Sequence, residues 1–348
     1  MHWLIAGFIA LLAVWPAQAK PFAPADSYSA DAVQRWIAGY RSEPDIKGVP
    51  IAMKALSGFG TFRDPERAGV YVGFLAGVIG ANPGTAALLI GKTLAAVRDE
   101  DRWLVVRAIA YSGLPDWKSR LRNLASRMPE REAMIDRYIS GKSPTLDQLV
   151  VRPKPSGFER FREHMRLDAV FGKPKRNVML EPSPEMLDVL WGYYFATGSY
   201  GPVMQIIAML PWSDDHDDAE RLTIGNMAKY TLANNAIRDQ ALLAMLRSSS
   251  KARHQPEKTV AALKEIVEAA ETVDTGPIRK QAIAALEELK SKGPAYKRAA
   301  SWWTFVGQSA IAGGCVAAAV TGHVELGLPC VVGGAATSAA MNFWNNQP

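Results

Sequence analysis

The sequence predicts an all-α protein: helical hairpins in a repeat-like, solenoid-like array of two lobes, followed by a C-terminal apolar helical hairpin rich in small residues. Three observations carry this reading. Prolines recur where helices would begin, apolar residues recur at helical spacing, and no set of alternating strands is found. The chain has 348 residues, 48% of them apolar, so a long disordered chain is excluded and a sizeable buried core is expected.

The prolines come first. Asp64-Pro65-Glu66, Asn82-Pro83 and Ser183-Pro184-Glu185 each read as a capping side chain followed by Pro at the first helical position. That position tolerates Pro because its missing N–H would have no intrahelical partner. The segments between such marks run to about 14 to 18 residues, one helix and a turn, so two of them make a hairpin of the length found in helical repeats. Periodicity agrees: Val260, Leu263, Ile266, Val267 and Ala270 share a helical face, as do Ile278, Ala282, Ala285, Leu286 and Leu289. Val70 to Ile79 and Leu104 to Ala110 are apolar on most sides and must be covered by neighbouring helices. Gly69, Gly73, Gly77 and Gly80 lie in or beside the first of these, a pattern that favours close helix packing over a phosphate cradle.

Residues 1–19 have the shape of a secretory signal. An apolar run, Trp3 to Trp15, is too short to span a bilayer comfortably and ends in Ala17-Gln18-Ala19. Export to the periplasm or envelope is therefore expected. Two helical lobes, 26–150 and 182–295, follow, separated at 151–181 by a Pro-containing basic linker. Within 152–176, eight basic residues stand against three acidic ones, so much of the chain's net charge of +6 is local.

The best single hairpin lies between Leu187 and Leu210. An aromatic-rich first helix ends at Thr197-Gly198, Tyr200 follows, and a second apolar helix runs from Pro202. With Tyr194, Gly198, Tyr200 and Val203 at its packing offsets, this stretch of about 24 residues resembles one tetratricopeptide-type hairpin, with a valine where that family has alanine in its second helix. The run from Ala228 to Asn235 resembles uncharacterised exported helical-repeat proteins of bacteria. The resemblance implies helical repeats and export and carries no activity with it.

At the C-terminal end, Trp302 to Gly322 is 21 residues without a formal charge and Leu326 to Phe343 is 18 more. A tight hairpin over 302–343, turning near His323, is expected. Bilayer insertion with Trp302, Trp303, Phe343 and Trp344 at the interface is one destination. Packing on protein, or homo-oligomerisation, is the other and is favoured, because Ala and Gly contribute little transfer energy. Cys315 and Cys330 fall at nearly the same height on such a hairpin, and in an exported protein that placement suggests a disulfide.

Candidate chemistry is sparse. Ser213 to Asp218 is acidic, which suits the first turn of a helix better than a metal site. The five histidines form no zinc motif, and there is no nucleophile elbow, P-loop or dinucleotide fingerprint. No catalytic residue, metal or cofactor is assigned. Among Trp191, Tyr193, Tyr194, Phe195 and Tyr200, most should be core and one or two should face a binding surface. Trp191, Tyr194 and Tyr200 are the candidates. In the basic span, Arg160, Arg166, Lys175 and Arg176 are candidates for contact with an anionic membrane surface. Aromatic residues there are too few for nucleic acid. The expected function is a non-enzymatic envelope scaffold that binds a protein partner. The alternatives are a helical enzyme acting on envelope glycan or lipid, or a small-molecule binding module between the lobes.

Overall fold

The computed structural model describes residues 29–151 and 179–291, apart from positions 217 and 254. The described residues are all-helical, joined by short turns, with one isolated bridge of extended backbone. Seven helices precede the basic span: α1 (Ala30–Gly39), α2 (Gly48–Gly58), α3 (Gly69–Ala81), α4 (Ala86–Ala96), α5 (Trp103–Tyr111), α6 (Trp117–Ala125) and α7 (Glu132–Ile139). Six follow it: α8 (Pro184–Thr197), α9 (Tyr200–Ala208), α10 (Ala219–Arg238), α11 (Gln240–Ser250), α12 (Glu257–Glu271) and α13 (Gly276–Ser291).

The proline signals divide in use. Ser183 caps α8 as expected, its hydroxyl accepting from the Met186 amide at 3.1 Å, with Pro184 at the first helical position. Asp64 caps only a short 3-10 turn, Pro65–Arg67. Asn82 caps nothing ahead of it: its amide nitrogen donates back to the Val78 carbonyl at 2.8 Å and closes α3, so α4 starts beyond Pro83 at Ala86. The short polar side chain had two backbone choices and took the one behind it.

Helix α3 is apolar all round, and every residue from Gly69 to Ile79 is buried. Its main partner is α8, which lies along most of its length. Glycines set that approach. A Cβ on Gly73 would collide with the Val189 carbonyl oxygen, and one on Gly192 would collide with the Val70 carbonyl oxygen and lie 2.7 Å from the Phe74 nitrogen. The two backbones therefore touch, as small residues allow. Flanking α3, the rings of Trp36, Tyr40 and Phe74 meet edge to face at 4.9–5.5 Å between centres.

This contact alters the expected organisation. The α3–α8 pair joins segments more than a hundred residues apart, whereas units of a stacked array touch only their sequence neighbours. Buried apolar residues from Val33 to Ile278 make one continuous cluster, so the described parts of the two expected lobes share a core. The Val150 amide donates to the Leu180 carbonyl and the Leu180 amide to the Gln148 carbonyl, both at 3.1 Å. The described residues on either side of the basic span thus meet, and 152–178 lie outside the described residues. In the C-terminal half, α10 to α13 pack on one another. Buried Lys229 ties three of them together, donating to Glu265 and to Gln281, each at 2.7 Å.

The backbone contact generates a paired expectation for chemical denaturation. Gly73→Ala and Gly192→Ala should each cost about 3 kcal/mol, the upper end for overpacking, because carbonyl groups cannot yield as side-chain tips do. Gly91→Ala, in a helix with open space at that position, should instead stabilise by about 0.5–1 kcal/mol. Equal effects at the three sites would contradict the arrangement.

Candidate functional site

The α8–α9 hairpin holds the aromatic candidates. Helix α8 ends because Gly198 takes a left-handed conformation (φ 65°), its amide donating to the Tyr194 carbonyl at 2.7 Å. Helix α9 starts two residues later and presses Val203, Ile206 and Ile207 into the core.

Two of the three candidates need correction. Trp191 is wholly buried: its indole N–H donates to the Thr231 hydroxyl at 3.0 Å, and its ring stacks on Phe195 at 5.8 Å. Tyr194 is also buried, its hydroxyl donating to Asp239. Both rings are spent on packing against the C-terminal half, Trp191 on α10 and Tyr194 beside Asp239. Tyr200 alone points outward, with 60% of its surface exposed. On the same side of α9 stand Met204, 41% exposed, and Ala208, also exposed. This helix contains no charged residue. Arg160, Arg166, Lys175, Arg176, Cys315, Cys330 and the whole of 302–343 lie outside the described residues, as does the signal segment.

Behind Tyr200 lies a polar clamp. The Tyr194 hydroxyl donates to the Asp239 carboxylate at 2.7 Å. Arg41 forms an ion pair with the same carboxylate and sits over the Tyr194 ring, 4.8 Å from its centre. Asp239 also caps α11, accepting from the Leu242 amide at 3.0 Å. Three elements distant in sequence are thus tied beneath the hairpin. Nothing in the sequence pairs Arg41 with Asp239, since long-range ion pairs leave no local pattern. The Asp-before-helix signal at Asp239 was readable.

A second cluster sits at the opposite end of α8. Arg107 pairs with Glu185 and donates to the Tyr111 hydroxyl at 3.3 Å, while Tyr111 and Tyr138 meet edge to face at 6.3 Å. Asp101, also buried, accepts from the Ser57 hydroxyl at 2.6 Å and from Arg98. In the acidic run, Asp218 caps α10, accepting from the Arg221 amide at 3.1 Å, the role expected for that stretch. Among the described residues, no three His, Cys, Asp or Glu side chains come together in a way that could hold a metal ion.

The tyrosines give these clusters a pH signature. Burial, with the Asp45 charge second, pushes Tyr40 up to about 12. Burial likewise raises Tyr71, Tyr138, Tyr193 and Tyr194 above the usual phenol value, and for Tyr194 the bond to Asp239 adds to the effect. The folded state holds these protons more tightly than the unfolded chain, where tyrosine ionises near pH 10. Their stabilisation is therefore complete below about pH 10 and is lost as pH rises through the folded values. Tyrosinate absorbance should show part of the ten tyrosines ionising only as helical circular dichroism disappears. Ionisation of all of them near pH 10 with the helices intact would contradict these placements.

Comparison of the chain with known protein families, with curated proteins and with solved structures finds no match in any of the three.

Proposed function

We propose that this chain is an exported, non-enzymatic helical scaffold that holds a protein partner in the cell envelope, with the outer face of α9 as its contact surface. One observation carries the reading. Tyr200, Met204 and Ala208 form an exposed, uncharged strip at i, i+4 and i+8, on a helix whose inner side is seated in the core. Large exposed aromatic and Met side chains on a fixed base are what partner surfaces use, because they bury much area at little ordering cost. The base is firm: Arg41, Tyr194 and Asp239 lock the hairpin to α11 from behind.

The described ionisable groups favour a scaffold over an enzyme. Asp239, Asp101, Glu185 and Lys229 each face partners that hold helices together, and catalytic groups are instead poised toward a cleft. A repeat-like array is proposed for the C-terminal half, where sequence neighbours pack on one another. Export through residues 1–19 and anchoring or self-association through 302–343 complete the proposal.

The test is a photo-crosslinking residue placed at Tyr200 or at Met204 and activated in intact envelopes. A discrete protein adduct is expected from both positions. It should be lost on Met204→Lys combined with the Tyr200 probe, and be missing from a probe at exposed Leu88 on α4. Adducts at Leu88 with none at Tyr200 or Met204 would overturn the assignment. So would turnover of envelope glycan or lipid by the purified chain.

A further inference from the structure

A second surface, away from α9, has a different chemistry. From Trp117 to Met128 the chain contains no acidic residue but carries Lys118, Arg120, Arg122 and Arg127. Helix α6 sorts these side chains by face. Leu121 and Leu124 point into the core, while Lys118, Ser119, Arg122 and Asn123 are exposed, with Lys118 and Arg122 one turn apart, and Ser126 and Arg127 are exposed in the turn that follows α6. Only Arg120 is neutralised, by Asp116 at 2.9 Å. Lys118, Arg122 and Arg127 form no ion pair among the described residues. The outer face of α6 and the turn after it therefore carry three exposed cations that have no ion pair among the described residues, beside hydroxyl and amide groups.

Its surroundings extend the pattern. The half-buried Trp117 ring lies at the rim of the face with the Lys118 ammonium 5.4 Å from its centre. On the neighbouring α7 Arg137 is exposed, as is Lys142 in the turn after it, with exposed Glu132 and Asp136 on the same helix. Glu130 is engaged at 3.8 Å by Arg102.

We propose that the outer face of α6 and the turn after it dock on an anionic bilayer surface through Lys118, Arg122 and Arg127, with Trp117 at the headgroup boundary. Clustered cations are attracted to anionic leaflets, and an indole with one apolar and one polar edge suits the interface. Hydroxyl and amide donors beside the cations match phosphodiester oxygens. A single aromatic ring offers no stacking platform for bases, so nucleic acid fits this face less well.

Vesicle flotation of the full-length chain tests this, with vesicles of neutral phosphatidylcholine or with a third of the lipid replaced by anionic phosphatidylglycerol. Wild type should partition more strongly onto the anionic vesicles, and high salt should erase the difference because such attraction is screened. Lys118→Glu, Arg122→Glu and Arg127→Glu together should weaken anionic partition by roughly tenfold or more. The same number of reversals at exposed Lys54, Lys92 and Lys264 should leave it unchanged. If the first triple variant loses helical circular dichroism, the three Gln substitutions replace it, with a smaller loss expected. Equal binding to both vesicle types would overturn the proposal, as the anchor would then be apolar. Salt-sensitive binding untouched by the α6 variants would also overturn it, since the cations would lie elsewhere. Loss of oligonucleotide binding with vesicle binding retained would reassign the face to nucleic acid.

Discussion

The rest of the fold hangs on the place where α3 and α8 lie backbone against backbone. Gly73 and Gly192 leave no room for a methyl group there: carbonyl oxygens of the facing helix occupy the space a Cβ would need. An approach this close can form in only one register. It fixes which side of α8 faces α3, and so it sends Trp191 and Tyr194 toward α10 and α11 rather than toward solvent. Because α3 is apolar all round, every remaining side of it must also be covered, and α1, α4 and α5 do this. The N-terminal and C-terminal halves are thereby folded around a common axis.

The central pair is largely covered by its neighbours. Polar side chains near it serve as ties. Gln34 donates to the buried Tyr71 hydroxyl at 2.6 Å, and Arg107 with Glu185, like Arg41 with Asp239, pins the two ends of α8. The surfaces proposed for recognition lie at the periphery, where helices seated by one side expose the other: an uncharged strip on α9, proposed for a protein, and a cationic one at α6, proposed for an anionic bilayer.

Much of this was legible in the sequence where the signal is local. The helical class followed from periodicity. Ser183 and Asp218 were readable as caps because a cap bonds to an amide two or three residues away. The glycines of α3 announced close helix packing, although nothing in them named the partner, since α8 lies beyond the basic span. The same non-locality hid the Arg41–Asp239 pair and the meeting of Leu149 with Leu180. Aromatic residues misled in a particular way. At helical spacing Trp191 and Tyr194 look alike to Tyr200, and only the orientation of α8 separates two core rings from one exposed ring. The α6 cations were visible one by one, but the separation of Arg120, paired with Asp116, from Lys118, Arg122 and Arg127 required side-chain geometry.

Native-state hydrogen exchange, resolved to individual amides, tests the central claim most directly. Buried, mutually locked elements open only with global unfolding. The amides of Val70 to Ile79 and of Leu187 to Ala196 should therefore be the slowest in the chain and share one opening free energy and one denaturant dependence. Opening of the α8 amides in a separate, cheaper step, with α3 still protected, would mean that two independent halves were joined only loosely. It would contradict the shared core.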